Sequence, residues 1–128
     1  MALTKTPVVI IPAATSNGVG ATTRGTVDLR SVYGGLLTVK ITNGATGPTT
    51  QAQANVLMAH NSGATPAAAS AGADWKTLAS WGNGVTNNSI GEWSMVIDPA
   101  ICHIEVEITG NTGQAVTCEA FITELAGL

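Results

Sequence analysis

Within the stretch ICHIEVEI, residues 101–108, apolar and polar side chains alternate without a break from Cys102 to Ile108. Successive side chains of an extended chain point to opposite faces, so this run places Cys102, Ile104, Val106 and Ile108 on one side and His103, Glu105 and Glu107 on the other. A helix would scatter the same residues around its circumference. This period-two pattern recurs along the whole chain in runs of about five to ten residues, bounded by Gly, Asn, Pro and Ser clusters, while helical periodicity is almost absent.

The runs predict eight strands. They are PVVII (7–11), TVDLRSVY (26–33), LLTVKIT (36–42), QAQANVLMAH (51–60), WKTLASW (75–81), EWSMVID (92–98), ICHIEVEI (101–108) and AVTCEAFITEL (115–125). Pro7 and Pro12 limit the first to edge pairing, because proline donates no ladder hydrogen bond. Val27, Leu29 and Tyr33 are expected on one face of the second run. Leu37, Val39 and Ile41 are expected inward in the third, Trp75, Thr77, Ala79 and Trp81 together in the fifth, and Trp93, Met95 and Ile97 together in the sixth. Short strands with regular turn signals predict an all-β antiparallel sandwich of about eight strands, jelly-roll-like. A chain of 128 residues is expected to form one domain, 1–128, with a core that needs no metal or disulfide.

The segment TGNTGQ reads as a hairpin loop between the last two strands. Reversal near Gly110 would set Cys102 opposite Cys118 and Ile104 opposite Val116, with both cysteines on the core face. A directly opposed pair is a little too far apart for a relaxed disulfide, so two buried thiols are expected.

Charged residues make up 10% of the chain, against about 25% in typical domains. Thr, Asn, Ser, Gly and Ala take their place. That composition suits a surface largely covered by other protein. Residues 1–90 hold five bases and two acids; residues 91–128 hold six acids and no base. Folding either mixes the two halves or leaves complementary surfaces for neighbouring subunits. The acidic balance and the lack of a basic cluster argue against nucleic acid. No apolar run is long enough to cross a membrane, and the N-terminal stretch makes a poor secretory signal.

Titratable groups are scarce. His60 ends a strand, His103 is expected as a solvated residue on a polar strand face beside Glu105, itself expected to face solvent or a subunit, and no spacing fits a metal site. Glu105 and Glu107 could act on a glycosidic bond only across a groove. GVG at 18–20 lacks the Lys and the following helix of a phosphate loop. Catalysis, cofactors and metals are therefore not expected. Trp75, Trp81 and Trp93 are either core anchors or a stacking platform for sugars.

The Met-Ala start leading into TPVVIIPAA, the Ala, Gly, Thr and Asn loops, and the ending HIEVEITGNTGQAVTCEAFITEL resemble small virion proteins of tailed bacteriophages, in particular jelly-roll capsid decoration (cement) proteins. The resemblance implies a β-sandwich without enzyme activity, located on the capsid surface after assembly in the host cytoplasm. It also implies major capsid protein or other virion proteins as partners, and clustering as a homodimer or homotrimer between capsid subunits. A tail or head-fibre component of the same class, and a carbohydrate-binding sandwich, are the alternatives.

Two segments are candidate interfaces. Residues 1–15 are either an N-terminal arm or an edge strand, and Val8, Val9, Ile10 and Ile11 exceed what a free tail should expose. GATPAAASAGA (63–73) has no charge and no large side chain; Ala64, Thr65, Pro66, Ala67, Ala68 and Ala69 would let another backbone approach closely at little entropic cost.

Overall fold

Alternation builds sheets here, and the connections decide how they roll. The computed structural model describes residues 2–67 and 74–127. Its strands are β1 (Thr4–Asn17), β2 (Thr23–Asp28), β3 (Gly35–Asn43), β4 (Gln53–Ala59), β5 (Trp75–Gly82), β6 (Ile90–Ile97), β7 (His103–Thr109) and β8 (Val116–Ala126). They form two four-stranded antiparallel sheets, ordered β1-β8-β3-β6 and β2-β7-β4-β5. Pairing first with last, second with seventh, third with sixth and fourth with fifth is one long hairpin rolled upon itself. The β3–β8 and β4–β7 ladders close the roll, which is the jelly-roll order.

The two inner faces meet in an apolar core. Leu37, Val39 and Ile41 of β3 and Cys118, Ala120 and Ile122 of β8 face Ala54 and Val56 of β4 and Ile104, Val106 and Ile108 of β7, all essentially inaccessible to water. Trp93 and Met95 pack on this core from β6, with Ile97 fully inside.

Several expectations change in the structure. β7 and β8 do not pair: the chain crosses from one sheet to the other at residues 110–115, so Cys102 does not oppose Cys118. Cys118 lies opposite Thr15 and Ile41 instead. Alternation fixed the face of each residue but not its partner strand, since a sheet-to-sheet crossing and a hairpin share the same turn chemistry. Both thiols are free; Cys118 is buried and Cys102 half-buried.

The first strand runs straight through both prolines. Pro7 sits on the sheet edge opposite Thr123. Pro12 lies in a register shift between Ile11 and Thr15, where Thr15 Oγ1 donates to the Pro12 carbonyl (2.6 Å) and Ala14 takes a positive φ of 58°. An earlier shift between Val9 and Ile11 turns the consecutive Ile10 and Ile11 both into the core.

The second strand begins at Thr23 and stops at Asp28, short of the 26–33 expected. Leu29 is still buried, but Tyr33 is exposed. In β5 a bulge at Leu78 separates Ala79, opposite Val56, from Thr77, opposite Leu57. Ala79 and Trp81 therefore face the core, while Thr77 and Trp75 point to the outside.

One end of the sandwich is tied by asparagines. Asn17 and Asn43 flank Val116 on either side. Asn17 Nδ2 donates to Asn111 Oδ1 (2.6 Å), and Asn83 Nδ2 to Asn43 Oδ1 (2.9 Å), all four side chains being buried.

Candidate functional site

The outward faces of the two sheets differ in chemistry. On the β1-β8-β3-β6 sheet, register sets Pro7, Thr123, Leu36 and Val96 in one row across four strands. Val9, Phe121, Thr38 and Ser94 form the next. Val9, Leu36 and Val96 are 56%, 50% and 76% exposed. Thr38 and Ser94 satisfy each other at 2.8 Å, which leaves that row little need for water. Charge flanks these two rows: Lys5, opposite Leu125, lies one row beyond Pro7, and on the other side Lys40 lies between Glu92 and Glu119 and pairs with Glu119 at 3.6 Å. The face thus carries an apolar and hydroxyl platform two rows deep, bordered by the backbone of edge strand β1.

On the β2-β7-β4-β5 sheet the outward face is polar and partly covered. Arg24, Thr26 and Asp28 of β2 lie beside Glu107, Glu105 and His103 of β7, which lie beside Asn55, Leu57 and Ala59 of β4. The segment 61–67 returns across this face. Pro66 is buried, His103 Nε2 is 3.0 Å from the Asn61 carbonyl, and Trp75 Nε1 donates to the Ala67 carbonyl. The cover leaves His103 and Glu105 only 3% and 1% exposed. Both point outward as alternation required, but they are not the solvated residues expected, because chain packs over them.

Their charges are matched locally. Arg24 pairs with Glu107 and lies 3.5 Å from Glu105; Asn55 Nδ2 donates to Glu107 at 2.9 Å. Arg30 grips Asp28 with two guanidinium nitrogens and its backbone N–H, and this holds the Asp28 carboxyl well below the usual carboxylate range. Folding therefore mixes the basic and acidic halves of the chain. Between β2, the covering segment and Trp75 lies an open cavity of about 340 Å³. Among the described residues, no group of three or more His, Cys, Asp or Glu is placed to hold a metal.

The candidate interface residues separate. Val9 is exposed on the apolar platform, Val8 is half-buried against the core, and Ile10 and Ile11 are core, offering no surface. Ala64, Thr65 and Ala67 are exposed on the covering segment and Pro66 is buried beneath it; Ala68 and Ala69 lie outside the described residues. Leu36 and Val96 were missed by sequence reasoning. Each is an apolar residue on the polar phase of its strand, and that break in alternation was the available signal. The tryptophans also separate: Trp81 and Trp93 stack in parallel with ring centroids 5.6 Å apart and pack on the core, while Trp75 lines the cavity.

No model of a known protein family matches the chain, and no curated protein matches its sequence. Solved structures match its fold. The K3 cleaved adhesin domain of Lys-gingipain from Porphyromonas gingivalis w83 aligns with a TM-score of 0.61 at 11% identity, over 86% of this chain and 72% of that one. The structure of the infectious bursal disease virus Gx strain aligns at 0.57 and 12% identity, over 98% of this chain but 32% of that one. The enzymatically active domain of tailspike protein 4 from bacteriophage CBA120 aligns at 0.50 and 10% identity, over 96% of this chain and 19% of that one. At such identities the likeness is one of fold alone, shared by a virus structure, a phage tailspike domain and a bacterial adhesin domain.

Proposed function

We propose that this chain is a non-enzymatic virion structural protein, a capsid decoration or cement protein that docks between capsid subunits through the outer face of the β1-β8-β3-β6 sheet. The observation that carries the reading is the two-row platform of Pro7, Val9, Phe121, Thr123, Leu36 and Val96, with β1 as its free edge. A chain with so few charges gains little from keeping such a face wet, and many copies on a lattice turn modest contacts into avidity. The edge backbone of β1 adds a strand-pairing surface. The exposed Ala64, Thr65 and Ala67 make a second, smaller contact on the other side. The non-enzymatic part of the reading is supported by the mutual pairing of Arg24, Glu105, Glu107, Asp28 and Arg30, which leaves them poorly placed to exchange protons with a substrate.

The test is cosedimentation with capsids of the virus that encodes the chain. Burying an exposed Leu or Val contributes roughly 1–2 kcal/mol. Leu36→Asp with Val96→Asp, both at exposed positions, is therefore expected to weaken binding about 100-fold while leaving the fold intact. Equal sedimentation of wild type and double variant, or a wild type that stays free of the particles, refutes the reading.

A further inference from the structure

We infer that the cavity on the outer face of the β2-β7-β4-β5 sheet is a binding site for a neutral saccharide of one or two rings. A volume of about 340 Å³ is at the lower end of small-molecule sites. Its walls differ in kind. Trp75 and Pro66 supply apolar surface, and the Trp75 indole is anchored through its N–H to the Ala67 carbonyl. The same lining holds Arg24, Thr26, Asp28 and Thr65, whose polar groups can meet hydroxyls, together with the almost fully buried His103 and Glu105. An aromatic side chain and hydrogen-bonding groups lining one cavity match a pyranose, which carries C–H groups on its faces and hydroxyls around its rim.

The site is built before any ligand arrives. Glu105 and His103 are held almost wholly out of water by the strands beside them and by segment 61–67. Fixed polar groups save the ordering cost that weakens binding by flexible ones. The charges select a neutral partner. In the lining, Asp28 and Glu105 stand against Arg24, an excess of one negative charge, and Arg24 and Arg30 engage these carboxylates. An anionic ligand meets that net negative charge, and a cation finds carboxylates already engaged by arginine. The site lies on the sheet opposite the apolar platform, so it stands or falls apart from docking through Leu36 and Val96; it shares Thr65 with the second, smaller contact.

The experiment is saturation-transfer NMR on the whole chain with glucose, galactose, mannose and N-acetylglucosamine, and with glucuronate and glucosamine as charged counterparts. Transfer to ring C–H protons of at least one neutral sugar is expected, stronger than to its charged counterpart. Trp75→Ala is expected to abolish it, while Trp81→Phe, altered in the core-packed stack, keeps it. Circular dichroism confirms that each variant folds. If Trp75→Ala does not fold, Thr26→Val decides: it keeps shape, removes a hydroxyl from the lining, and is expected to weaken binding roughly fivefold. No transfer from any neutral sugar to the wild type overturns the assignment. So does transfer that persists in folded Trp75→Ala or, should that variant not fold, is unchanged in Thr26→Val.

Discussion

Replacing Asn111 should damage this protein far more than its position in a loop implies. The side chain is completely buried. Its Nδ2 donates to the carbonyls of Asn17 (3.2 Å), Gly18 (3.2 Å) and Gln114 (3.0 Å), and its Oδ1 accepts from Asn17 Nδ2. It thereby ties the end of β1 to the crossing between β7 and β8, where no ladder links the two sheets. Asn111→Ala removes these bonds together. A typical net contribution is about 1 kcal/mol per bond. Asn17 Nδ2 keeps the Ala21 carbonyl at 3.1 Å, so the loss is not the full sum. We expect about 3 kcal/mol, a large share of a stability on the order of 10 kcal/mol. The melting temperature should then fall by roughly 10 °C. Asn111→Asp is expected to be worse near neutral pH, because a carboxylate would face three carbonyl oxygens with no proton to share. Thermal and urea denaturation followed by circular dichroism measure both. Should either variant melt within about 2 °C of the wild type, the view that this asparagine closes the sandwich is wrong.

Two further outcomes concern ionisation. Burial pushes the Cys118 thiol up to about 11. In the folded chain it stays protonated, so its contribution to stability is present below the ordinary thiol value of about 8.5 and is lost as pH rises toward the folded one. Iodoacetamide at mildly alkaline pH should therefore alkylate the half-buried Cys102 before Cys118, and mass spectrometry of digested peptides gives the order. Asp28 runs the other way. Its carboxyl is depressed chiefly by the side-chain hydrogen bonds from Arg30, so its contribution is present above about pH 4 and is lost as pH falls below that. The carboxyl is half-exposed, which keeps the effect small. Arg30→Gln should bring the Asp28 carboxyl back toward its ordinary titration range, as read by NMR.

Faces were far more legible than partners. Ile104, Val106 and Ile108 lie inward as their alternation required, and the same rule placed Leu37, Val39 and Ile41. Which strand lies beside which is set by loops whose composition does not distinguish a hairpin from a crossing, so the pairing of Cys102 with Cys118 failed while the inward placement of Cys118 held. One inserted residue, Leu78, was enough to send Trp75 to the opposite side from Trp81. The burial of Glu105 was invisible for another reason: the chain that covers it is some forty residues distant, and its Ala, Pro and Gly content reads equally as free loop. The cavity shares that origin, being formed between strands and a segment no local pattern connects.

The asparagines at the end of the sandwich have a covalent consequence. All three Asn-Gly dipeptides of the sequence, at 17–18, 43–44 and 83–84, place their asparagine in this buried cluster. In an unfolded chain, Asn-Gly is the pair most prone to succinimide formation, because the glycine nitrogen reaches the side-chain carbonyl without obstruction. Here the amides are held by partners: Asn17 by Asn111 and Thr23, Asn43 by the Gly84 and Thr86 carbonyls, Asn83 by Asn43 and Ser89. Folding thus protects the three bonds from deamidation, and a chain that lingers unfolded ages at the very residues it needs to close again.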